Sequence, residues 1–496
     1  MTTLETYDKN NPLSIEYYAK KLIGKTFNDV LENYNTQQES ILISESKEVY
    51  GDSHENKKRK GGLGELIEEC FFHYKCNNDS APDFDKAGVE LKVTPYKINK
   101  NNTFSAKERL IITMIDYFKV VDEDFENSHL WNKCKLILLV YYLYSSDIKN
   151  RLDYVINYVK LFTPPEEDLE IIKNDFEIIV NKIKAGKAHE LSEGDTMYLG
   201  AATKSSSSLN RRKQPFSNIP AKPRAFSFKT SYMTYVLNNF IVSNKTTYEP
   251  IIKDINEIKN TTFEDLIINK IDSYVGKTDE ELCKLFNRKY NNNKTQWIDL
   301  AYRMLGISSN KAEEFEKANI KVKALRIETK NKIIESSPLP TFKFKELIDE
   351  TWEDSKLFNY LNEQKFLFVI YKKFKNRYIL KGAQLWHIPY DDLNTTVHEG
   401  WENIRNIILN GVKFIPKYNK NGKLTYDNNL PNKTANRIIH IRPHAQKSAY
   451  KFEDGTEVGN ILRDANELPD GRYMTNQSFW INNTYIISQL DSKFLN

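Results

Sequence analysis

Four cysteines in 496 residues are too few, and Cys70, Cys76, Cys134 and Cys283 too irregularly spaced, for a disulfide framework or a paired-CxxC zinc site. Their scarcity fits a reducing compartment, and a cytoplasmic protein is expected. Long hydrophobic runs are missing as well. The longest, Leu136 to Tyr144, is about half of a membrane span and reads instead as a buried strand. The first ten residues, Met1 to Asn10, are polar and do not resemble a secretory signal. What remains is a globular chain: hydrophobic residues make up 40% and charged residues 28%, which argues against wholesale disorder, and the length suggests about two to four domains.

A further absence is local. From Gly200 to Thr230 there is no Asp or Glu, while Lys204, Arg211, Arg212, Lys213, Lys222, Arg224 and Lys229 contribute +7, more than the +5 of the whole chain. A second stretch, Asn403 to Phe452, holds ten Lys/Arg against the single acid Asp427, interleaved with Tyr418, Tyr426, His440, His444 and Tyr450. Each run could be a solvated loop. Two of them favour nucleic acid, because phosphate contacts need clustered cations unopposed by carboxylates.

The chain divides by pattern. A tail to about Leu13 and a polar stretch from Ser44 to Lys60 read as loops, and Gly64 to Tyr74 has helical spacing. Strands are predicted at Gly88 to Val93, Arg109 to Met114 and Lys135 to Tyr144, with a helix from Glu166 to Lys184 ended by Gly186. The serines Ser205 to Ser208 resemble a linker or a DNA-facing loop. Apolar periodicity lapses from Val242 to Lys259, which predicts an N-terminal domain over 1–245 and a C-terminal domain over 260–496.

The two parts look like copies. PDFDKAGVELKV around Asp83 aligns with EEFEKANIKVKA around Glu314, at an offset of 314 − 83 = 231. FEIIVNKIKAG, ending at Gly186, aligns with WENIRNIILNG, ending at Gly411, at 411 − 186 = 225, and KLILLVYY has its counterpart in KFLFVIYK from Lys365. Matches in the same order at nearly constant offset indicate duplication of one fold.

Chemistry concentrates at Gly88 to Val93. Val89, Leu91 and Val93 share one face of a strand, and Glu90 and Lys92 share the other. A carboxylate and an ammonium two residues apart can ligate a hard cation and hold a water or phosphate oxygen beside it, with Asp83, or alternatively Asp85, as the upstream acid. An oxygen-rich set of this kind suits Mg²⁺ and phosphodiester hydrolysis better than zinc chemistry. Taken alone, an acid-x-Lys pair is common on amphipathic strands. In the second copy Glu314, Lys321 and Lys323 stand where Asp83, Glu90 and Lys92 stand in the first, and a lysine in place of the central carboxylate puts positive charge where a cation must bind.

KGGLGELIEECFF (Lys60 to Phe72), PDFDKAGVELKVTPY (Pro82 to Tyr96) and SHLWNKCKLILL (Ser128 to Leu138) together resemble the MutH family, within the PD-(D/E)xK nuclease superfamily, and KAHELSEGDTMYL to RAFSFKTSYMT extends the likeness to Thr234. Within it, the duplication makes the chain similar to GATC-cutting type II restriction enzymes of the Sau-three-A type. The resemblance implies an α/β fold of the α+β mixed-sheet kind, with two tandem restriction-endonuclease-like domains. It implies that Glu68, Asp83 and Glu90 ligate Mg²⁺, that Lys92 orients the attacking water, and that Lys135 is an auxiliary active-site lysine. DNA-binding positions implied by the resemblance and the basic windows are Lys60, Lys204, Arg211, Arg212, Lys213, Arg224, Lys229 and Tyr232 in the first half, and Arg442, His444 and Lys447 in the second. The family's Arg-Pro-Lys reading loop is altered here to Ala202-Thr203-Lys204, while the second half has Arg442-Pro443-His444. The expected partners are double-stranded DNA, a second copy of the chain joined transiently on DNA, and a cognate DNA methyltransferase, with no membrane. A MutH-type nicking enzyme and a non-catalytic DNA-binding regulator are the competing expectations.

Overall fold

The alternation of Val89, Leu91 and Val93 with Glu90 and Lys92 does open a strand, β1 (Glu90–Ile98), and the first of two structural units is arranged around it. The computed structural model describes residues 7–37, 62–74, 81–205, 207, 209–242, 248–291, 293–309, 311–333, 336–418, 422 and 424–496. Lys60, the stretch Ser44 to Lys60, and Ser206 and Ser208 of the serine run lie outside the described residues. Unit 1 takes the chain as far as Phe263 together with Lys311–Asn319; unit 2 comprises Glu264–Asn310 and Ile320–Asn496.

The other strands of unit 1 are β2 (Phe104–Ala106), β3 (Leu110–Met114), β4 (Ile137–Leu143), β5 (Ile156–Phe162), β6 (Leu199–Thr203), β7 (Arg212–Gln214), β8 (Ser217–Ala221) and β9 (Arg224–Phe228). The main sheet has the order β2-β1-β4-β5. β1 runs parallel to β4, with Glu90 opposite Ile137 and Lys92 opposite Leu139, and β4 is antiparallel to β5. Ile137 through Tyr141 are all fully buried, because β4 is covered on both faces, so its sequence is a continuous apolar run instead of an alternation.

The helix Glu166–Lys184 buries Ile172, Phe176, Ile179 and Ile183, and its acidic first turn and basic last turn suit the helix dipole. It also holds a second, antiparallel sheet of order β3-β9-β6. Asp175, fully buried on this helix, accepts backbone N–H bonds from Met197 (2.7 Å), Tyr198 (2.7 Å) and Leu199 (2.9 Å) at the start of β6. Another buried carboxylate, Asp168, accepts from Lys317 Nζ (2.6 Å) and Tyr232 OH (3.0 Å), and so holds the helix Glu313–Ala318 in unit 1.

Unit 2 begins with helices, including Asp279–Leu285 and Lys294–Met304, and then forms β10 (Ile320–Ile327), β11 (Ser337–Phe342), β12 (Lys365–Phe374), β13 (Arg377–Trp386), β14 (Phe414–Tyr418), β15 (Leu424–Asn428) and β16 (Ile439–Pro443). β10 is parallel to β12, and β12 is antiparallel to β13, the same pairing senses as β1, β4 and β5. A second sheet places strand Gln477–Ile481 between β11 and β16, as β9 lies between β3 and β6. Left-handed residues, Gly88 (φ 65°) and Asn319 (φ 53°), stand two positions before the aligned Glu90 and Lys321.

The ladders correct one detail of the sequence alignment. Glu90 faces Ile137, whereas Lys321 faces Phe366, so the equivalent of Lys135 falls at Gln364 and not at Lys365. Two uninterrupted apolar runs can slide by one residue in an alignment without any visible mismatch. Hydrogen bonding sets the register.

The anchoring of β6 yields a prediction. In Asp175→Asn one carboxylate oxygen becomes an NH₂ facing backbone N–H donors, and urea denaturation should show a loss of about 3 kcal/mol. An unchanged unfolding midpoint would show that the three bonds do not hold the sheet to the helix.

Candidate active site

Asp83 and Glu90 are brought together by a tight turn. Phe84 bridges to Val89, Phe84 N donating to Val89 O at 2.9 Å, and Gly88 supplies the positive φ that closes the loop. Asp83 Oδ2 then accepts from Leu91 N at 2.8 Å. Burial, and after it the neighbouring Glu90 carboxylate, push the Asp83 pKa upward against the opposing pull of Leu91 N–H, Lys92 and Lys133.

Glu90 is only 2% exposed, so its charge requires close partners. Lys92 Nζ donates to its Oε1 at 2.7 Å and also to Ile112 O on β3 at 3.2 Å. Lys133 Nζ donates to its Oε2 at 3.2 Å. Lys133 lies in the last turn of the helix His129–Cys134, which is capped by Ser128 Oγ accepting from Trp131 N and leads directly towards β4.

Lys133 is the residue that sequence reasoning missed. SHLWNKCKLILL offers two lysines, and the family likeness selects Lys135. In the structure Lys135 is exposed, its stem passing over Gly88, where Lys135 Cε would lie 3.5 Å from an added Cβ, while Lys133 reaches Glu90. The only available signal was the Ser128 cap, which fixes the phase of the short helix; the parallel pairing that carries Lys133 to Glu90 is a long-range fact.

Glu68 is half-buried on the π-helical turn Ile67–Phe71. Among the described residues no three of His, Cys, Asp and Glu converge as a ready metal cage. Asp83 and Glu90 instead form an oxygen-only pair without imidazole or thiolate. That set fits a hard divalent cation, which takes few carboxylates and completes its shell with water and substrate oxygens.

Three expected DNA contacts are corrected. Arg224 is buried and donates to Ala201 O at 2.6 Å. Lys229 is 2% exposed and donates to Glu193 O at 2.6 Å and to Thr196 O. Tyr232 is fully buried with its hydroxyl on Asp168. In each case a strand end or helix face points inward, and the polar atom is consumed by buried acceptors. Lys204, Arg211, Arg212, Lys213, Arg442, His444 and Lys447 are all exposed, and the Arg442 guanidinium lies 4.9 Å from the Trp480 ring centre.

The residues aligned with Asp83 and Glu90 are divided between the units. Glu314, in unit 1, accepts from Ile251 N and Ile252 N, each at 2.9 Å. Lys321, in unit 2, is exposed and bonded to Tyr360 OH at 3.2 Å.

Paired acids and lysines at the start of a parallel strand pair define a nuclease of the MutH-like class, and the family model described as DNA mismatch repair enzyme MutH matches residues 72–175, which include Asp83, Glu90, Lys92 and Lys133. The chain is 35% identical to the type II restriction enzyme Sau3AI of Staphylococcus aureus over 498 residues, covering 93% of this chain and 99% of that enzyme, and it belongs to that family of restriction enzymes. The DNA mismatch repair proteins MutH of Vibrio campbellii and Shewanella woodyi are 27% and 25% identical, each over 37% of this chain and over 80% and 78% of their own lengths. The protein is therefore a nuclease acting on DNA, of a family that generally employs a divalent metal. Among the described residues no helix is long and apolar enough to cross a membrane, and Cys70, Cys134 and Cys283 are free, buried thiols.

Two outcomes follow. Lys133→Met should lower kcat for DNA cleavage by about 10- to 100-fold, the equivalent of one charge-assisted hydrogen bond, and more than Lys135→Met does; the reverse ranking in single-turnover assays would return the auxiliary role to Lys135. Tyr232→Phe should lower stability by about 1 kcal/mol in thermal unfolding while DNA affinity of the folded protein stays at the wild-type value.

Proposed function

We propose that this protein is a Mg²⁺-dependent restriction endonuclease that cuts duplex DNA at GATC, on the side preceding G, leaving a 5′-phosphate and a 3′-hydroxyl. The observation that carries this reading is the convergence of Asp83, Glu90, Lys92 and Lys133 in unit 1. GATC is inferred from the likeness to the Sau-three-A type along nearly the whole chain. The two halves are read as a duplication, with catalysis confined to residues 1–245 and residues 260–496 serving as a non-catalytic DNA-binding domain.

Asp83 and Glu90 would hold the cation, with Glu68 as a further acid from the preceding helical turn. When bound, the cation supplies Lewis acidity at the scissile phosphate. Lys92 positions the attacking water in line with the leaving oxygen, and its ammonium opposes the negative charge that builds on the phosphate. Lys133 shares the Glu90 charge with Lys92 and so frees Lys92 to turn towards substrate. Exposed Lys204, Arg211, Arg212 and Lys213 grip the phosphate backbone, and Arg442, His444 and Lys447 do so from unit 2. One active site per chain requires two copies on DNA, or two successive nicks, for a double-strand break; transient dimerisation on DNA is the reading adopted. In the cytoplasm a cognate methyltransferase would protect the host's own sites.

MutH-type nicking is the competing reading, favoured by the match of the MutH family model to residues 72–175. Two duplexes differing in a single GATC, incubated with protein and Mg²⁺, separate the possibilities. The expected result is a double-strand break in the GATC duplex only. Nicks confined to one strand of hemimethylated DNA would favour the MutH reading, and equal survival of both duplexes would sink the specificity claim. Lys92→Ala should reduce cleavage by at least about 100-fold with binding retained.

A further inference from the structure

The helix His129–Cys134 carries two basic side chains four residues apart, on one face. Lys133 goes to Glu90, and His129 goes to Glu123. Glu123 Oε2 accepts from His129 N at 3.2 Å, and Glu123 Oε1 meets His129 Nδ1. The carboxylate is 15% exposed and the imidazole 47%. With Nδ1 held on Glu123 the direction of the ring is set, and Nε2 has no partner among the described residues. A protonated ring held in this way donates from Nε2.

Unit 2 starts its helix Lys356–Glu363 in the same manner without an imidazole. Ser355 Oγ accepts from Phe358 N at 3.1 Å and Glu350 Oε2 accepts from Lys356 N at 3.3 Å. These residues match Ser128 and Glu123 at one offset, 355 − 128 = 350 − 123 = 227, and Lys356 matches His129 at 356 − 129 = 227. Lys356 Nζ goes instead to Glu346. A carboxylate on the first N–H of the helix therefore suffices to begin it, and the His129 ring is not needed for that.

His129 and Glu123 line a cavity of about 180 Å³ together with Thr113, Met114, Asp116 and Lys119. Two chain segments lead into it from the catalytic cluster. Lys92 Nζ donates to Ile112 O, and the next two residues of β3, Thr113 and Met114, are in the cavity wall. Lys133, bonded to Glu90, lies four residues beyond His129, about 6 Å along the helix axis. Neighbouring phosphates of a DNA strand are spaced at a comparable distance. Of the carboxylates in the wall, Glu123 is bonded through both oxygens to His129, and Asp116 Oδ1 accepts from Phe118 N at 3.1 Å and Lys119 N at 3.4 Å. His129 and the exposed Lys119 are basic, which suits an anion. We propose that His129, oriented by Glu123, donates from Nε2 to a phosphate flanking the scissile one and so positions the strand for cleavage. This contact rests on the placement of the reacting phosphate at Asp83 and Glu90.

The test uses the full-length chain with Mg²⁺. The cut is mapped on plasmid DNA, and duplexes of that sequence are made with a single methylphosphonate, which removes one phosphate charge, at each position flanking the cut. At one position the methylphosphonate should slow single-turnover cleavage by the wild type at least about 10-fold, and should slow His129→Ala by less than about 2-fold, because its contact has already gone. On the unmodified duplex His129→Ala should lose at least about 10-fold, His129→Lys should recover to within about 3-fold of wild type, and Glu123→Gln should give an intermediate loss. His129→Ala should melt within a few degrees of the wild type, since a half-exposed pair adds little stability, so the rate loss is not unfolding. If Lys92→Ala cleaves at the wild-type rate while His129 stays coupled to one flanking phosphate, the catalytic assignment falls and this contact stands. Methylphosphonate costs that are equal in wild type and His129→Ala at every flanking position overturn the proposal, whatever Lys92→Ala does.

Discussion

Glu90 has to be neutralised where it stands, and much of unit 1 is arranged so that it is. At 2% exposure an isolated carboxylate there would be strongly destabilising. Lys92 reaches it along the same strand, and Lys133 reaches it from the helix that leads towards β4, which requires β1 and β4 to lie parallel in their observed register. Lys92 also bonds to Ile112 O, tying β3 to the cluster. β3 pairs with β9, and β9 with β6, whose first residues hang on Asp175. The active site is thus the meeting point of two sheets, and the helix Glu166–Lys184 holds the second of them from the far side of its pairing.

In unit 2 the position aligned with Glu90 is Lys321, and no carboxylate stands there. β10, β12 and β13 have the pairing senses of β1, β4 and β5, and Leu325, Ile327, Phe366, Phe368 and Ile370 are buried together in one apolar core. Glu314 spends both oxygens on backbone N–H groups of Ile251 and Ile252, and Lys321 turns outward to Tyr360. Fold and chemistry are separable here, since the residues that do the chemistry point away from those that do the packing.

Much of the local structure was legible. The helix Glu166–Lys184 begins and ends where its acidic first turn and Gly186 place it, and the strands around Glu90, Leu110 and Ile137 follow from their apolar patterns. Charge was legible only as a count. Of seven cations between Gly200 and Thr230, Lys204, Arg211, Arg212 and Lys213 are exposed, whereas Arg224 and Lys229 turn inward to carbonyl oxygens. A run of positive residues does not say which way each strand faces. Nor did the Val242 to Lys259 gap predict that Lys311–Asn319 is grouped with unit 1, because that grouping depends on a buried ion pair between residues 149 positions apart, Lys317 and Asp168.

By itself the sequence determined the period of each element, the separation of an apolar from a chemical face at Glu90 and Lys92, the family, and the lysine, Lys321, at the position aligned with Glu90. These are local properties, set by side-chain type and spacing along the chain. Tertiary structure alone decided that Lys133, and not Lys135, meets Glu90, and that Tyr232 and Lys229 are internal supports. Each of those outcomes depends on which distant strand or helix packs alongside and in which register, and a single chain read in order carries no record of that.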